Sequence, residues 1–385
     1  MLVVFFTLLT LAYVYHRENR VGIASAVYIF IVLIIHALFY YEVMLLDLDY
    51  FISDELAYID FDDAQGLSES AKNDRILWFY YHSLVSFIMP VDGLFNKLIS
   101  LPFLPLILLL VYNFCNKRNL SLFLFLFCPY LLFLMQTAIR DIAILYFTLL
   151  IISYWCNASS KNSKVIFQLL TLIFLLFMLR PFAVFIVAFS IYIYELFAKF
   201  KNKPFRDVLY LLFYNVVVAI IVSGFFYLLF QDKIDQYIRT LTYFSENGLW
   251  LDESKSNVKP ALTFQYFSYA IIRYISTPLP TSLLERFLTE SVTQFGYLDD
   301  IVRFLNQLFY FVMFIWILIK LVIRKGKLVA QWNSSIWILC IVTILNSIVY
   351  ALYYAGGGHS RIKLLLFIFV FVVFVCLGKR EDKAH

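Results

Sequence analysis

The chain alternates long apolar runs with short polar connections. The runs are mostly about 15–23 residues long, which suits helices that cross the hydrocarbon core of a bilayer with some tilt. We predict about eleven such helices, over residues 2–15, 21–46, 94–115, 119–138, 141–156, 165–179, 181–198, 208–230, 305–323, 333–354 and 362–378. This pattern predicts an all-α fold, a polytopic bundle of transmembrane helices.

Basic residues fall in every second connection of this pattern. The basic connections are 17–20, 117–118, 161–164, 199–206, 324–327 and 379–380. Because basic connections stay in the cytoplasm, we expect the amino terminus outside and the carboxyl terminus inside. The first run is interpreted as a retained span, since its basic residues follow it and no small-residue cleavage site stands out.

Composition supports a membrane protein. The chain is 63% hydrophobic and 20% aromatic with a mean hydropathy of +0.82, whereas soluble domains are about 45–50% apolar. We therefore expect residues 1–385 to form a single integral membrane domain. The net charge of +5 lies mostly in short connections, so it indicates orientation and no nucleic-acid partner. The 5 cysteines lie in or beside apolar runs, which suggests neither disulfides nor a metal cluster.

Two predicted outer segments are long enough to shape a site. Residues 47–93 begin acidic and turn aromatic over 76–89, which suggests a re-entrant or interfacial helix that ends at Pro90. Residues 231–304 mix charges with aromatic side chains, and loops of this length are usually functional. Aromatic rings stack on sugars while polar groups bind hydroxyls, so we predict sugar-binding roles for Tyr58, Trp250, Tyr266 and Arg273. Simple anchoring of aromatics at the membrane surface is the alternative.

Three arginines depart from the positive-inside rule. Arg140, Arg180 and Arg361 each stand at a predicted outer turn. A guanidinium binds phosphate oxygens through two parallel hydrogen bonds, so we predict that these arginines bind a diphosphate. Snorkelling or pairing with aspartate is the alternative for each one.

Candidate acid–base groups lie on the same predicted face. Asp54 or Glu55 can act as a general base that takes a proton from an attacking hydroxyl. His359, between glycines and an arginine, is the other candidate for the base, or for a hydrogen-bond donor to phosphate. A solvated acidic loop is the alternative for the first pair.

Several short motifs resemble those of Wzy-like and EpsG-like polysaccharide polymerases, which are similar in outline to C-type lipid-linked glycosyltransferases. The motifs are Asp54 with Tyr58, the stretch Leu77-Trp78-Phe79-Tyr80-Tyr81, Ile139-Arg140-Asp141 and a polar-basic turn before the last span. The resemblance covers most of the chain by topology.

This resemblance implies an enzyme, a glycosyltransferase of the bacterial inner membrane. It would join undecaprenyl-diphosphate-linked oligosaccharide repeat units on the outer face during synthesis of O-antigen or capsule. The expected partners are these lipid-linked glycans and membrane lipid, with a chain-length regulator protein as a further candidate. No nucleotide-binding glycine loop occurs, and we expect neither a cofactor nor a metal.

Two alternatives stay open. A C-type glycosyltransferase would move one sugar from a polyprenyl monophosphate and use the acidic loop, often with a metal. A transporter or flippase of lipid-linked sugars would need charges deep in the spans or two related halves, and neither is clear in the sequence.

Overall fold

The computed structural model describes residues 2–46, 77–78, 80–81, 84, 97–137, 139–158, 163–200, 224, 231, 235, 264–276, 294–323, 332–353 and 363–378. Within these ranges every regular element is a helix, and no strand occurs. The all-α prediction is therefore confirmed for the part of the chain that the structure describes.

Most helices follow the apolar runs, whereas one helix and the start of another lie in the predicted outer segment 231–304. They are α1 Leu2–Arg17, α2 Asn19–Leu46, α3 Phe103–Phe114, α4 Leu124–Phe127, α5 Pro129–Leu134, α6 Asp141–Asn157, α7 Ser163–Leu179, α8 Pro181–Phe200, α9 Phe264–Ser276, α10 Gln294–Ile323, α11 Ser334–Tyr353 and α12 Leu364–Leu377. Two 3-10 turns, Lys97–Ser100 and Asn119–Phe123, lie before and after α3.

Several helices have the length and polarity of membrane spans. Among the described residues, 5 helical segments are long and apolar enough to cross a bilayer: Asn19–Leu38, Lys97–Phe114, Pro181–Lys199, Ile301–Ile323 and Ser334–Ala351. Shorter apolar helices cover Val3–Arg17, Asp141–Asn157, Ser163–Leu179 and Leu364–Leu377. These helices support a membrane protein. The number of eleven crossings and the orientation stay predictions, and most of the predicted span 208–230 lies outside the described residues.

The predicted helix over 119–138 is interrupted. A 3-10 turn, α4 and α5 replace it, and Cys128 separates α4 from α5 with φ −127° and ψ 62°. The cause is Pro129, because proline disfavours helical geometry at the residue before it. The backbone N–H of Tyr130 donates to Asn306 Oδ1 of α10 at 3.4 Å, which replaces an intrahelical partner. The expectation of one uninterrupted helix was wrong.

The chain divides into two compact units. The first comprises Met1–Val187, Pro278–Thr343 and His359–His385, and the second comprises Ala188–Thr277 and Ile344–Gly358. In the second unit α9 buries Ala270 and Tyr274 and exposes Ile272. The candidate site lies in the first unit.

Hydrogen bonds fix the directions of helices α3 and α12 in the first unit. Arg118, just after α3, donates through Nη1 to Val375 O at 2.5 Å and to Cys376 O at 2.8 Å. Both carbonyls belong to the last turn of α12. The carboxyl ends of α3 and α12 therefore meet, and the two helices run parallel.

Helix α2 begins at this same end. Arg20 Nη1 donates to Asn119 Oδ1 at 3.1 Å, and Lys117 forms an ion pair with Glu18. We call this set of residues the basic rim: Arg17, Arg20, Lys117 and Arg118. Its basic connections are those that the positive-inside rule assigns to the cytoplasm.

The opposite end of the first unit gathers other helix termini. Ser100 Oγ donates to Thr137 O at 3.4 Å, so α3 and α6 begin side by side. The Tyr154 hydroxyl of α6 donates a hydrogen bond to Gln168 of α7. This contact is consistent with an antiparallel hairpin of α6 and α7, in which α7 ends beside the start of α6. Helix α10 runs parallel to α12, because the ring pairs Tyr310–Phe367 and Trp316–Phe374, at 5.4 and 4.9 Å, advance together along both helices.

Candidate functional site

Cations collect at the end of the first unit opposite the basic rim. Lys97, Arg140 and Lys363 lie just before helices, and Arg180 lies in the α7–α8 turn. Arg303 lies further inside its helix, α10, which begins at Gln294. We call this set the cation end: Lys97, Arg140, Arg180, Arg303 and Lys363.

Lys97 and Lys363 are fully buried, each with 0% exposure. Lys97 lies in the 3-10 turn before α3. Lys363 directly precedes α12. Burying an ammonium group costs several kcal/mol for each ion, even after the surrounding protein has relaxed. Such charges inside membrane bundles usually mark ligand or ion sites.

Arg140 precedes α6 and is 6% exposed. Its Nη1 donates to the carbonyl of Leu179 at 2.6 Å. Leu179 is the last residue of α7, so the guanidinium binds one of the carbonyls that a helix end leaves without an intrahelical partner. The positive charge also complements the negative end of the α7 dipole.

Arg180 occupies the turn between α7 and α8. Its Nη1 lies 3.4 Å from Asp141 Oδ1, with side-chain exposures of 18% and 10%. The guanidinium carbon lies 5.3 Å from the ring centre of Phe182, a cation–π distance. Asp141 opens α6, where a carboxylate is favoured by the helix dipole. Arg140 and Arg180 therefore both contact the junction, the place where the start of α6, the end of α7 and the start of α8 meet.

Arg303 approaches the cation end from α10. Its guanidinium carbon lies 5.7 Å from the ring centre of Tyr130, which is itself buried. Asn306, one turn further along α10, accepts the hydrogen bond from the Tyr130 amide. One face of α10 thus holds the start of α5 by two contacts.

Part of the predicted interfacial stretch contacts the 3-10 turn that carries Lys97. Tyr81 Oη donates to Ile99 O at 3.2 Å. Its ring centre lies 5.5 Å from that of Trp78, which is buried. Burial raises the pKa of Tyr81 to about 12, so the phenol stays protonated as a donor at neutral pH.

The structure brings two of the predicted site residues together, namely Arg140 and Arg180. Arg273 lies half-buried in α9 of the second unit, and for Tyr266 of that helix only the backbone is described. The remaining predicted site residues lie outside the described residues: Asp54, Glu55, Tyr58, Trp250, His359 and Arg361. Their roles stay predictions.

Sequence reasoning missed Lys97, Arg303 and Lys363. Each stands near the predicted outer end of an apolar run, so each departs from the positive-inside rule as Arg140 does. That signal was available in the sequence. The bidentate geometry that favours arginine does not apply to the two lysines, and Arg303 lies at the end of the predicted outer segment 231–304.

The cation end is suited to an anionic ligand. Planar guanidinium groups match phosphate oxygens in pairs, and ammonium groups add charge without that directional constraint. Within the described ranges, no group of three or more His, Cys, Asp or Glu side chains is placed to hold a metal ion. Comparisons with protein-family models, curated proteins and solved structures give no match for this chain.

Proposed function

We propose that the chain is a polymerase of undecaprenyl-diphosphate-linked oligosaccharide repeat units, with its site at the cation end. The observation that supports this proposal is the burial of Lys97, Arg140 and Lys363 at the end opposite the basic rim. If the basic rim faces the cytoplasm, the cation end faces outward, where lipid-linked repeat units are the available sugar donors. The bacterial inner membrane is the location that this function requires.

The diphosphate is the group that the cation end would bind. Its charge leaves with the lipid when the glycan is transferred, so fixed cations would stabilise the departing group. The sequence supplies the other roles of the proposal. Asp54, Glu55 or His359 would remove the proton of the acceptor hydroxyl, and the aromatic residues of the outer segments would hold the sugars.

Purified protein with lipid-linked repeat units tests the proposal. We expect products that lengthen by whole repeats and that persist when EDTA removes divalent metal. Lys97→Met and Lys363→Met should lose most of this activity, whereas Lys117→Met on the basic rim serves as the matched control and should keep it. Size-exclusion profiles check that each variant is folded. Full-length polymer from both buried-lysine variants would contradict the proposal.

The same assay identifies a C-type glycosyltransferase. That enzyme would add single sugars from a polyprenyl monophosphate, and chelation would stop it if carboxylates hold a catalytic metal. Additions of single sugars that EDTA abolishes would favour the C-type glycosyltransferase over the polymerase.

One observation favours a transporter of lipid-linked sugars as the second candidate. Interrupted helices at membrane depth are typical of transporter sites, and α4 and α5 are separated at Cys128 beside the polar Asn306. A transporter would move lipid-linked repeat units across proteoliposomes without forming new glycosidic bonds. Transfer across the bilayer with no longer product would favour it over the polymerase.

A further inference from the structure

We infer that Arg140 and Arg180 have different tasks: Arg180 contacts the anionic ligand, and Arg140 is a positioning residue that acts through Arg180. This inference rests on the proposed diphosphate site. It refines that site, because the sequence alone gives the two arginines the same role.

The guanidinium of Arg140 is used within the fold. It is buried, and its Nη1 donates to Leu179 O at 2.6 Å. This is a short, charge-assisted hydrogen bond to a helix terminus. Moving Arg140 onto a ligand would leave that carbonyl without this donor, so its stable position is inside the junction.

The same contact fixes the backbone of Arg180. Leu179 is its direct neighbour, and the Arg180 N–H donates to Leu176 O at 2.8 Å. The carbonyl of Arg180 accepts from Ala183 N at 3.1 Å. The residue is therefore held between the last turn of α7 and the first turn of α8, and Arg140 ties that turn to the start of α6.

Asp141 orients the side chain of Arg180 from the same turn of α6. The 3.4 Å ion pair and the Phe182 ring limit where the guanidinium can point. A planar guanidinium can hold a carboxylate and a phosphate at once through different edges. With 18% exposure, the Arg180 side chain is the more accessible of the two arginines at this junction. Arg140 supports the backbone, Asp141 orients the guanidinium, and Arg180 meets the ligand.

Binding of undecaprenyl diphosphate in detergent micelles to the purified full-length chain tests this division. Arg180→Gln should raise the Kd at least about tenfold, as expected for a lost charged hydrogen bond. Arg140→Gln should raise it by a smaller factor of about threefold to tenfold, since it displaces Arg180 without removing it. The double variant Arg140→Gln/Arg180→Gln should bind no more weakly than Arg180→Gln alone.

Conservative variants distinguish positioning from direct contact. Arg140→Lys keeps a cationic donor for the Leu179 carbonyl and should recover part of the affinity, whereas Arg180→Lys lacks the planar fork and should not. These variants also give a result if Arg140→Gln fails to fold.

Arg118→Gln is the matched control. Arg118 also donates to carbonyls at a helix end, Val375 O and Cys376 O, but on the basic rim. It should lower thermal stability and leave the Kd unchanged.

The outcomes separate the inference from the proposed function. Losses that multiply in the double variant would overturn the inference, because Arg140 would then bind the ligand independently. An unchanged Kd for Arg140→Gln would also overturn it. If the wild-type chain fails to bind undecaprenyl diphosphate, the proposed function fails and the inference fails with it.

Discussion

Replacing Gly22 by alanine tests how tightly α1 and α2 pack. A Cβ atom at Gly22 would lie 2.6 Å from Tyr15 Cα and 2.7 Å from Tyr15 Cβ. Carbon atoms in good contact are about 3.5–4.0 Å apart. Because the nearest atom belongs to the backbone of α1, a side-chain rotation cannot relieve the clash. The two helices would have to separate by about 1 Å at this point.

The expected cost follows from two opposing terms. Overpacking of a tight contact costs about 1–3 kcal/mol. Alanine in place of glycine recovers up to about 1 kcal/mol through its better helix propensity. Gly22→Ala should therefore be destabilising by up to about 3 kcal/mol.

Gly224→Ala is the matched control. Gly224 is helical and exposed, and a Cβ there meets no atom within 4 Å among the residues that the structure describes. Alanine should be neutral or stabilising at this position. The apparent melting temperatures of the two variants in detergent should differ by about 2–6 °C, with Gly22→Ala the lower. Equal melting temperatures of the two variants, or a higher melting temperature for Gly22→Ala than for Gly224→Ala, would refute the close packing of α1 on α2.

Two further predictions concern the interrupted segment and the orientation. Asn306→Leu should lower the melting temperature, since the Tyr130 N–H loses its acceptor at a cost of about 1–3 kcal/mol. The control Leu308→Ala, on the exposed side of α10, should change the melting temperature little. Equal effects of the two variants would argue against the α10–α5 contact. Single cysteines at Ser254 and Ser334 should differ towards an impermeant thiol reagent, with the first labelled and the second protected, and equal labelling would contradict the predicted topology.

The helices were predictable because each apolar run carries its own signal. Runs such as 141–156 and 165–179 differ from the observed α6 and α7 by at most two residues at either end. The interruption at Cys128 was missed although Pro129 stands in the middle of its run. Hydropathy weighs only polarity and does not register the missing backbone donor of proline. The partner Asn306, distant in sequence, becomes apparent only in the folded chain.

The candidate site was predictable only in part. The turns that carry Arg140 and Arg180 were recognised from charge position, and they do share one junction. Their connection through Leu179 and Asp141 was not foreseen, because a hydrogen bond to a backbone carbonyl leaves no mark in the sequence. The burial of Lys97 was not predictable, because it depends on neighbours from other helices.

Lys97 and Lys117 lie at opposite ends of α3 and differ in burial. We expect an exposed charge to orient the chain in the membrane and a buried charge to belong to a ligand site. Lys117 has a side chain 61% exposed, and its hydrogen bond to Glu18 holds the pKa of the ammonium above its usual value. Exposed pairs of this kind contribute little to stability, so we expect Lys117 to act mainly in orienting the chain in the membrane. Lys97 is fully buried, and a buried charge is retained in a membrane bundle mainly where it binds a ligand or an ion. Lys97→Met should therefore weaken polymerisation more strongly than it lowers the melting temperature. A large loss of stability in Lys97→Met would instead indicate that this buried charge serves the fold.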